Sequence, residues 1–337
     1  MANLHSEFLE FYDALQIVKS KREQIITSHN NLRKLIKNEF SKNHPEYTVG
    51  FWIQGSWKMG TTIRTNDDEC DLDDGFYITP EPKVTSTTVK NWVKEAVDNA
   101  TDAGASHKNK CIRVQYKGGY HIDIPVYVKS SFDKPWEHPK LATRDDGYML
   151  SDPKELCDWF KEKKKNNDQL VRIISYMKAW SDDVRQSMPP GLALTILAAE
   201  NQVKNERDDV ALLETLKAIR NKLNALFVCR VPATPRDNVL EDFSDRKAQI
   251  MAEFDRIIDY GEKAIDEKNM LKASKQWRHA LGDRFPEAED KDDPEMRLNE
   301  LRSLSNTVLS GQAKTDSKGY IQSSSGVSHQ SHRFFGG

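Results

Sequence analysis

The chain has 337 residues, enough for one large two-lobed domain or for two domains that share a core. Its 50 lysines and arginines nearly balance its 52 aspartates and glutamates, and 37% of its residues are hydrophobic, as in globular proteins. A protein that binds duplex nucleic acid usually carries a basic footprint, so the balanced charge argues against that class and against a stable nucleic-acid partner.

The first half of the chain alternates helical and β-prone patterns. Apolar residues recur at helical spacing in the N-terminal 40 residues, which predicts one long helix or two consecutive helices that end at His44-Pro45. Further on, two β-prone segments flank Gly118-Gly119 and predict a hairpin. The predicted elements are helices over 5–41 and 87–103, strands over 47–54 and 71–78, and a hairpin of strands 111–116 and 120–128.

Beyond about residue 150 the apolar period is helical, and Ser, Asp or Pro start signals precede several segments. In residues 311–337, serine and glycine supply 11 of 27 positions, which predicts a flexible tail ending in Gly-Gly. We therefore predict an α+β protein in which a mixed sheet with helices, residues 1–150, packs on a helical lobe, residues 151–310. Helices are predicted over 152–163, 168–184, 191–201, 208–227, 245–265 and 271–281.

The cysteines and the apolar segments bear on the cellular compartment. The four cysteines are widely separated and form no CxxC pair, so neither a zinc site nor a disulfide framework is suggested. No segment approaches the roughly 20 consecutive apolar residues of a membrane span. We expect a cytoplasmic protein without a membrane partner.

Three aspartates in predicted strands are the main chemical signal. Asp71 and Asp73 are two residues apart and therefore share one face of a strand, roughly 7 Å apart at their Cα atoms. Asp123 is the single acid on the strand HIDIPVYV, and it would join them if the two strands are neighbours in one sheet. Asp74 faces the other way and is expected in a turn or a local hydrogen bond. Carboxylates are costly to bury without a positive partner, so this pattern predicts bound cations.

The ligand types suit Mg²⁺ and phosphate chemistry. Mg²⁺ prefers oxygen ligands and is commonly shared between carboxylates and substrate phosphates. Two such ions can activate an attacking hydroxyl and stabilise a leaving pyrophosphate. Gly55-Ser56, just before a helix-like turn, would supply backbone N–H groups and a hydroxyl for an anion. Together these features favour phosphoryl or nucleotidyl transfer.

Five blocks in the same order resemble the bacterial cGAS/DncV-like nucleotidyltransferases (CD-NTases), most closely the dinucleotide cyclase branch. The blocks are FWIQGSWKMGT, DLDDG, HIDIPVY, SDPKELCDWF and ISYMKAWSDD. The resemblance is strong over about residues 45–185. It implies a DNA polymerase β-like nucleotidyltransferase core, a helical second lobe and a central active-site cleft.

The resemblance also implies roles for individual residues. Asp71, Asp73 and Asp123 match the catalytic, metal-binding triad, which implies two Mg²⁺ ions, for which Mn²⁺ can substitute. One departure concerns Met59, because relatives often place a base-stacking tyrosine three residues after the motif serine. The nucleotide-binding residues implied by the resemblance are Gln54, Gly55, Ser56, Arg113, Ser151, Asp152 and Lys178.

The family synthesises cyclic oligonucleotide messengers in antiphage defence, and the messenger acts on a downstream effector. By resemblance we expect ATP and GTP as substrates and 3′–5′-linked cyclic GMP-AMP as product. In some operons of the family, an E1/E2-like conjugating enzyme joins the C-terminal glycine of the synthase to a target. Gly337, the last residue of HRFFGG, resembles such a conjugation site.

Other functions share parts of this pattern. An RNA or tRNA nucleotidyltransferase also carries G-S and D-x-D, but it needs an extended RNA surface, which the near-neutral charge disfavours. A linear or cyclic oligoadenylate synthase would use the same metal site. A catalytically silent nucleotide-binding scaffold would be expected to lack a carboxylate, and all three are present. A DNA-activated animal-type synthase is disfavoured, because no zinc insertion or basic stripe is seen.

Overall fold

The computed structural model describes residues 2–184, 188–292, 294–315, 321–322 and 327–328. The predicted conjugation site at Gly337 and most of the predicted tail lie outside these residues, and the tail remains a prediction. No helix within the described residues has the length and apolarity needed to cross a membrane.

The N-terminal segment forms two helices, α1 (His5–Ala14) and α2 (Lys19–Asn43). They belong to different cores. Helix α1 buries Phe8 and Phe11 among aromatic side chains of the helical second half, with ring centroids of Phe8 and Tyr176 5.0 Å apart. Helix α2 packs Ile25 and Leu32 against the sheet. Local periodicity predicts both helices but contains no information about which core each one joins.

Eight strands form one mixed sheet, in which β2 is central. Strand β1 pairs with β2 antiparallel, and β5 and β6 both pair with β2 in parallel. The segment predicted as a single strand over 120–128 is divided at Pro125, which has no backbone N–H for a sheet ladder. The strands are β1 (Thr48–Gln54), β2 (Cys70–Thr79), β3 (Ala105–His107), β4 (Ile112–Tyr116), β5 (Tyr120–Ile124), β6 (Val126–Val128), β7 (Lys140–Ala142) and β8 (Tyr148–Leu150).

Helices flank this sheet and make up the second half of the chain. Helix α4 (Ser86–Val97) ends earlier than predicted and continues as a 3₁₀ turn, Asp98–Ala100. Strands β3, β7 and β8 were not predicted, because they have only three residues each. The helices are α3 (Gly55–Met59), α4 (Ser86–Val97), α5 (Pro153–Lys163), α6 (Asp168–Val184), α7 (Gly191–Asn201), α8 (Asp208–Ala225), α9 (Lys247–Asp266), α10 (Met270–Leu281) and α11 (Pro294–Leu309).

A second, small sheet joins three two-residue strands near the C-terminus, β9 (Lys314–Thr315), β10 (Ile321–Gln322) and β11 (Val327–Ser328), with β9 in the middle. Neither this sheet nor α11 was predicted. The mixed sheet and the helical second half confirm the predicted α+β class. The domain boundaries remain predictions, and the packing of α1 on the second half shows that the first 150 residues do not serve one core alone.

Candidate active site

Strand β2 presents two carboxylates on one face. Asp71 and Asp73 are half-buried, whereas the alternate residues Cys70, Leu72 and Asp74 are buried on the opposite face. This is the period-2 alternation expected of a strand. The two aspartates therefore point towards the same side of the sheet, as the spacing predicted.

Asp123 stands directly beside this pair. Strand β5 runs parallel to β2, and Asp73 and Asp123 are register partners across the two strands. The side chain of Asp123 is 13% exposed and accepts two hydrogen bonds of 2.8 Å from the guanidinium of Arg113, its antiparallel partner on β4. The predicted adjacency of the two strands thus exists, and Asp123 already has one cationic neighbour.

Gly55 makes room for Asp73. Strand β1 ends at Gln54, which is the register partner of Asp73, and the chain then turns into α3. Gly55 has φ +60°, and a Cβ atom on it would lie 2.1 Å from Oδ2 of Asp73. Both the backbone conformation and the close approach require glycine here.

Three converging carboxylates make this region electronegative. Burial, together with the neighbouring Asp71 and Asp123, raises the pKa of Asp73 to about 7, although Arg113 and Lys178 act in the opposite direction. The all-oxygen donor set and the space kept open by Gly55 fit hard divalent cations of the Mg²⁺ type. Such ions would relieve the mutual repulsion that the protein's own side chains leave in place.

Lys178 of α6 faces the same region from the helical half. Its Nζ donates hydrogen bonds to the backbone oxygen of Thr61 at 2.9 Å and to the Thr61 hydroxyl at 3.2 Å. Burial lowers the pKa of Lys178 to about 8, while Asp71 and Asp73 oppose that shift. A cation held close to two carboxylates and facing a cavity is suited to bind phosphate oxygens.

One pocket of about 840 Å³ joins these groups. Its volume is near the upper end of the roughly 300–1,000 Å³ typical of ligand sites. Most of the residues singled out in the sequence line it, whereas Asp123 and Arg113 lie one and two strands further along the sheet. The predicted site residues that line the pocket are Gln54, Gly55, Ser56, Asp71, Asp73, Ser151, Asp152 and Lys178.

Asp152 and Ser151, two of the residues predicted to contact a base, already have hydrogen-bond partners within the protein. Asp152 caps α5, since its Oδ1 accepts hydrogen bonds of 3.1 Å from the amides of Lys154 and Glu155. Its Oδ2 lies 2.9 Å from Nδ1 of His138. Burial raises the pKa of Tyr127, and its side-chain hydrogen bonds with Gln54 and Ser151 act in the opposite direction. The base contacts of Ser151, Asp152 and Arg113 remain predictions.

His138, Asp152 and Glu155 form a second acidic cluster, with ligand-type atoms within 4.8 Å of one another. Hydrogen bonds account for this arrangement. Asp152 binds His138 and caps α5, and Glu155 accepts a hydrogen bond of 2.8 Å from the amide of Thr234. The cluster therefore holds the loop around Thr234 against α5.

Asp74, predicted to lie outside the metal site, has a structural partner. Its carboxylate binds the guanidinium of Arg33 through contacts of 2.7 and 2.5 Å, and Nε2 of His29 is 3.1 Å away. The interaction was expected to be local, but it spans α2 and β2. This buried ion pair anchors the strand that carries Asp71 and Asp73.

Several lining residues were not identified from the sequence. Most of them come from the loop that follows α3, from the start of α7 and from residues 231–243, where no chemical motif marks them. Met59, the noted departure, is 4% exposed and lines the pocket, and its carbonyl accepts a hydrogen bond from Lys164. The additional lining residues include Thr61, Thr62, Ile63, Thr65, Lys110, Leu192, Asn238 and Phe243.

Comparison with known proteins places this site in a family context. Residues 49–127 match the family model described as "Cyclic GMP-AMP synthase DncV-like, nucleotidyltransferase domain". The matched range contains Gly55-Ser56 and all three carboxylates. The predicted nucleotidyltransferase domain is therefore confirmed.

Two curated relatives differ in product and in coverage. One, named cyclic GMP-AMP synthase, from Escherichia albertii, is 28% identical over 225 residues, and the alignment covers 61% of this chain but only 49% of the relative. The other, named cyclic AMP-AMP-AMP synthase, from Acinetobacter sp., is 22% identical over 302 residues, covering 83% of this chain and 84% of the relative. The chain thus matches about half the length of the first relative and most of the second.

The fold has a close counterpart among solved structures. The crystal structure of Vibrio cholerae DncV cyclic AMP-GMP synthase, a prokaryotic cGAS homolog, matches with a TM-score of 0.74 at 18% sequence identity. The match covers 84% of this chain and 97% of that one. This confirms the predicted fold, a mixed sheet with helices of the DncV type.

Proposed function

We propose that this chain, as a cGAS/DncV-like nucleotidyltransferase, converts nucleoside triphosphates into a cyclic dinucleotide in a reaction that requires divalent metal ions. One observation carries the proposal: Asp71 and Asp73, Ser56 and Lys178 line a single pocket, although they come from both halves of the chain. Cyclic GMP-AMP with 3′–5′ linkages, made from ATP and GTP, is the product we expect.

Each residue has a role in this proposal. Asp71, Asp73 and Asp123 would hold two Mg²⁺ ions, or Mn²⁺ in their place. Bound there, the ions would lower the pKa of the attacking ribose hydroxyl and neutralise charge on the leaving pyrophosphate. Ser56 and Lys178 bind the donor triphosphate, so these side chains act by positioning and charge neutralisation.

The chemistry needs two transfers in one pocket. The 3′-hydroxyl of the acceptor attacks the α-phosphorus of the donor, a phosphodiester bond forms, pyrophosphate leaves, and the hydroxyl proton goes to solvent. The linear intermediate then binds in the reverse orientation, and its free 3′-hydroxyl attacks its own 5′ α-phosphorus with loss of a second pyrophosphate. We propose that Gln54, Ser151, Asp152 and Arg113 select the bases.

A cyclic oligoadenylate is the second candidate product. The relative named cyclic AMP-AMP-AMP synthase aligns over 84% of its own length. Met59, moreover, stands where relatives often have a stacking tyrosine, so base selection in this pocket need not follow the dinucleotide cyclases. The metal site serves both products equally.

The function is tested by incubating the purified chain with the four NTPs, singly and in pairs, with Mg²⁺ or Mn²⁺. We expect mass spectrometry to show a phosphatase-resistant cyclic GMP-AMP from ATP plus GTP, and no product when EDTA is present. A cyclic product from ATP alone would favour the oligoadenylate instead. Absence of any cyclic product, or extension of added RNA, would contradict the proposal.

We also propose that the product acts as an antiphage signal through a downstream effector, and that an E1/E2-like enzyme conjugates Gly337. The support is the terminal Gly-Gly, which is small enough to thread a narrow active site, preceded by two phenylalanines. Deleting Gly336 and Gly337 should leave product formation unchanged and abolish the conjugate. A conjugate that persists on the truncated chain, detected by immunoblot, would disprove this assignment.

A further inference from the structure

The loop between α3 and β2, residues 60–69, forms one wall of the pocket and leads directly to Asp71. Thr61, Thr62 and Thr65 of this loop line the pocket. At its start, the Thr62 hydroxyl lies 2.8 Å from that of Ser56. The position of this loop, which we call the 60–69 loop, therefore sets the distance between the pocket wall and the carboxylates of β2.

Two side chains of the helical half form hydrogen bonds with the backbone of the loop at its middle. Oδ2 of Asp182 accepts a hydrogen bond of 2.6 Å from the amide of Asn66. The guanidinium of Arg284 donates to the same Oδ2 at 3.3 Å and also to the carbonyl oxygen of Arg64. The side chains of Asp182 and Arg284 are only 20% and 18% exposed, so the contacts of Arg284 are partly shielded from water, whereas Asn66 itself is exposed.

Asp182 lies one helical turn after Lys178 on α6, so the two side chains share a face. Lys178 also holds the loop, through its two hydrogen bonds to Thr61. When Lys178 turns to a triphosphate, those bonds compete with phosphate oxygens. Asp182 and Arg284 then still hold the loop, together with weaker support from Asp183, whose Oδ1 lies 3.4 Å from Nδ2 of Asn66, and a backbone hydrogen bond from Arg64 to Leu15.

We propose that Asp182 and Arg284 are positioning residues that keep the 60–69 loop in place beside Lys178. The donor triphosphate is thereby held against the carboxylates of β2. Neither residue lines the pocket, and both act through the loop backbone. The inference rests on the proposed function for its effect on catalysis, but its effect on the loop is independent of turnover.

The test uses the full chain with Asp182→Ala, Asp182→Asn and Arg284→Gln. The control is Asp255→Asn, which breaks another Asp–Arg pair of the helical half (2.8 Å, with Arg220), one that is more exposed and does not contact the loop. Hydrogen exchange by mass spectrometry reports on peptides that cover the 60–69 loop. Binding of α,β-methylene ATP and GTP with Mg²⁺, and KM and kcat for the NTPs, report on positioning.

For Asp182→Ala we expect exchange in the loop to be about tenfold faster, because the amide of Asn66 loses its charge-assisted hydrogen bond and Arg284 loses its carboxylate partner. We expect KM and the analogue Kd to rise by about tenfold, with kcat changed less than about threefold. Asp182→Asn keeps an acceptor for the amide of Asn66 and should show a smaller effect. It replaces the alanine variant in the test if that variant does not fold. Arg284→Gln combined with Asp182→Asn should be non-additive.

Unchanged loop exchange in all variants would overturn the proposal. Faster exchange with unchanged analogue binding and KM would also overturn it, because the pair would then only stabilise the fold. The control should change neither quantity. Exchange and analogue binding need no turnover, so an inactive wild-type enzyme would refute the proposed function and leave this test valid.

Discussion

Replacing Asp73 by asparagine should reduce product formation by at least about 10³-fold, because the amide cannot serve as an anionic metal ligand at the centre of the site. In the absence of metal, the same variant should be more stable than the wild type. Burial and two neighbouring carboxylates raise the pKa of Asp73 to about 7. At pH 8 the folded protein therefore carries an ionised Asp73 that Asp71 and Asp123 repel. Removing that charge should stabilise the fold by about 1–2 kcal/mol.

The size of this stability gain depends on pH. A carboxyl group with a raised pKa in the folded state favours folding below its unfolded pKa, and that contribution is lost as pH rises through about 7. The stability gain of Asp73→Asn should therefore be largest at pH 8 and small at pH 4, measured by urea unfolding in EDTA. Equal activity, or lower stability at pH 8, would argue against a repulsive carboxylate cluster.

Asp74→Asn is the matched control for this substitution. Asp74 is the next residue on β2, but it faces the opposite side and pairs with Arg33. Breaking this buried pair should cost about 2–4 kcal/mol of stability, while the folded fraction keeps its activity. Asp73→Asn should thus raise stability and abolish activity, whereas Asp74→Asn should lower stability and leave activity intact.

Gly55→Ala is the second substitution with a large expected effect. The added Cβ would lie 2.1 Å from Oδ2 of Asp73, so the carboxylate must move. A displacement of about 1 Å at a reacting centre can cost about 10²-fold in rate. We therefore expect kcat/KM for the NTPs to fall by about 10²-fold or more.

Gly60→Ala is the control that separates the displacement of Asp73 from the backbone strain of a left-handed alanine. Gly60 also has a positive φ, +77°, but a Cβ there would meet nothing closer than the end of the Lys164 side chain at 4.0 Å. Both alanine variants should lose about 1–2 kcal/mol of stability from the left-handed conformation. Only Gly55→Ala should lose activity per folded molecule, and equal activity in the two variants would rule out a role of Gly55 in placing Asp73.

The catalytic strand was predictable because its signals are local. The spacing of Asp71 and Asp73 determines which face they share, and β-prone residues mark the strand itself. The place of Asp123 needed one further assumption, that β5 is a neighbour of β2, and family resemblance supported it. The long helices of the second half were predictable for the same reason, since their apolar period extends over several turns.

What could not be predicted depends on contacts between distant segments. Arg113 was assigned to a base, and the structure pairs it with Asp123, because the antiparallel register of β4 and β5 places the two side chains opposite one another. The partner of Asp74 on α2 is 41 residues away in sequence. The anchors of the 60–69 loop, Asp182 and Arg284, lie still further along the chain and carry no motif.

The central claim is that the carboxylates of β2 and β5 bind the catalytic metal ions. The most direct measurement is anomalous diffraction from crystals of the wild-type chain with Mn²⁺ and a non-hydrolysable NTP. We predict two peaks about 3.5–4 Å apart beside Asp71 and Asp73, one of them also within reach of Asp123. Peaks at His138, Asp152 and Glu155 instead, with none beside Asp71 and Asp73, would contradict the account.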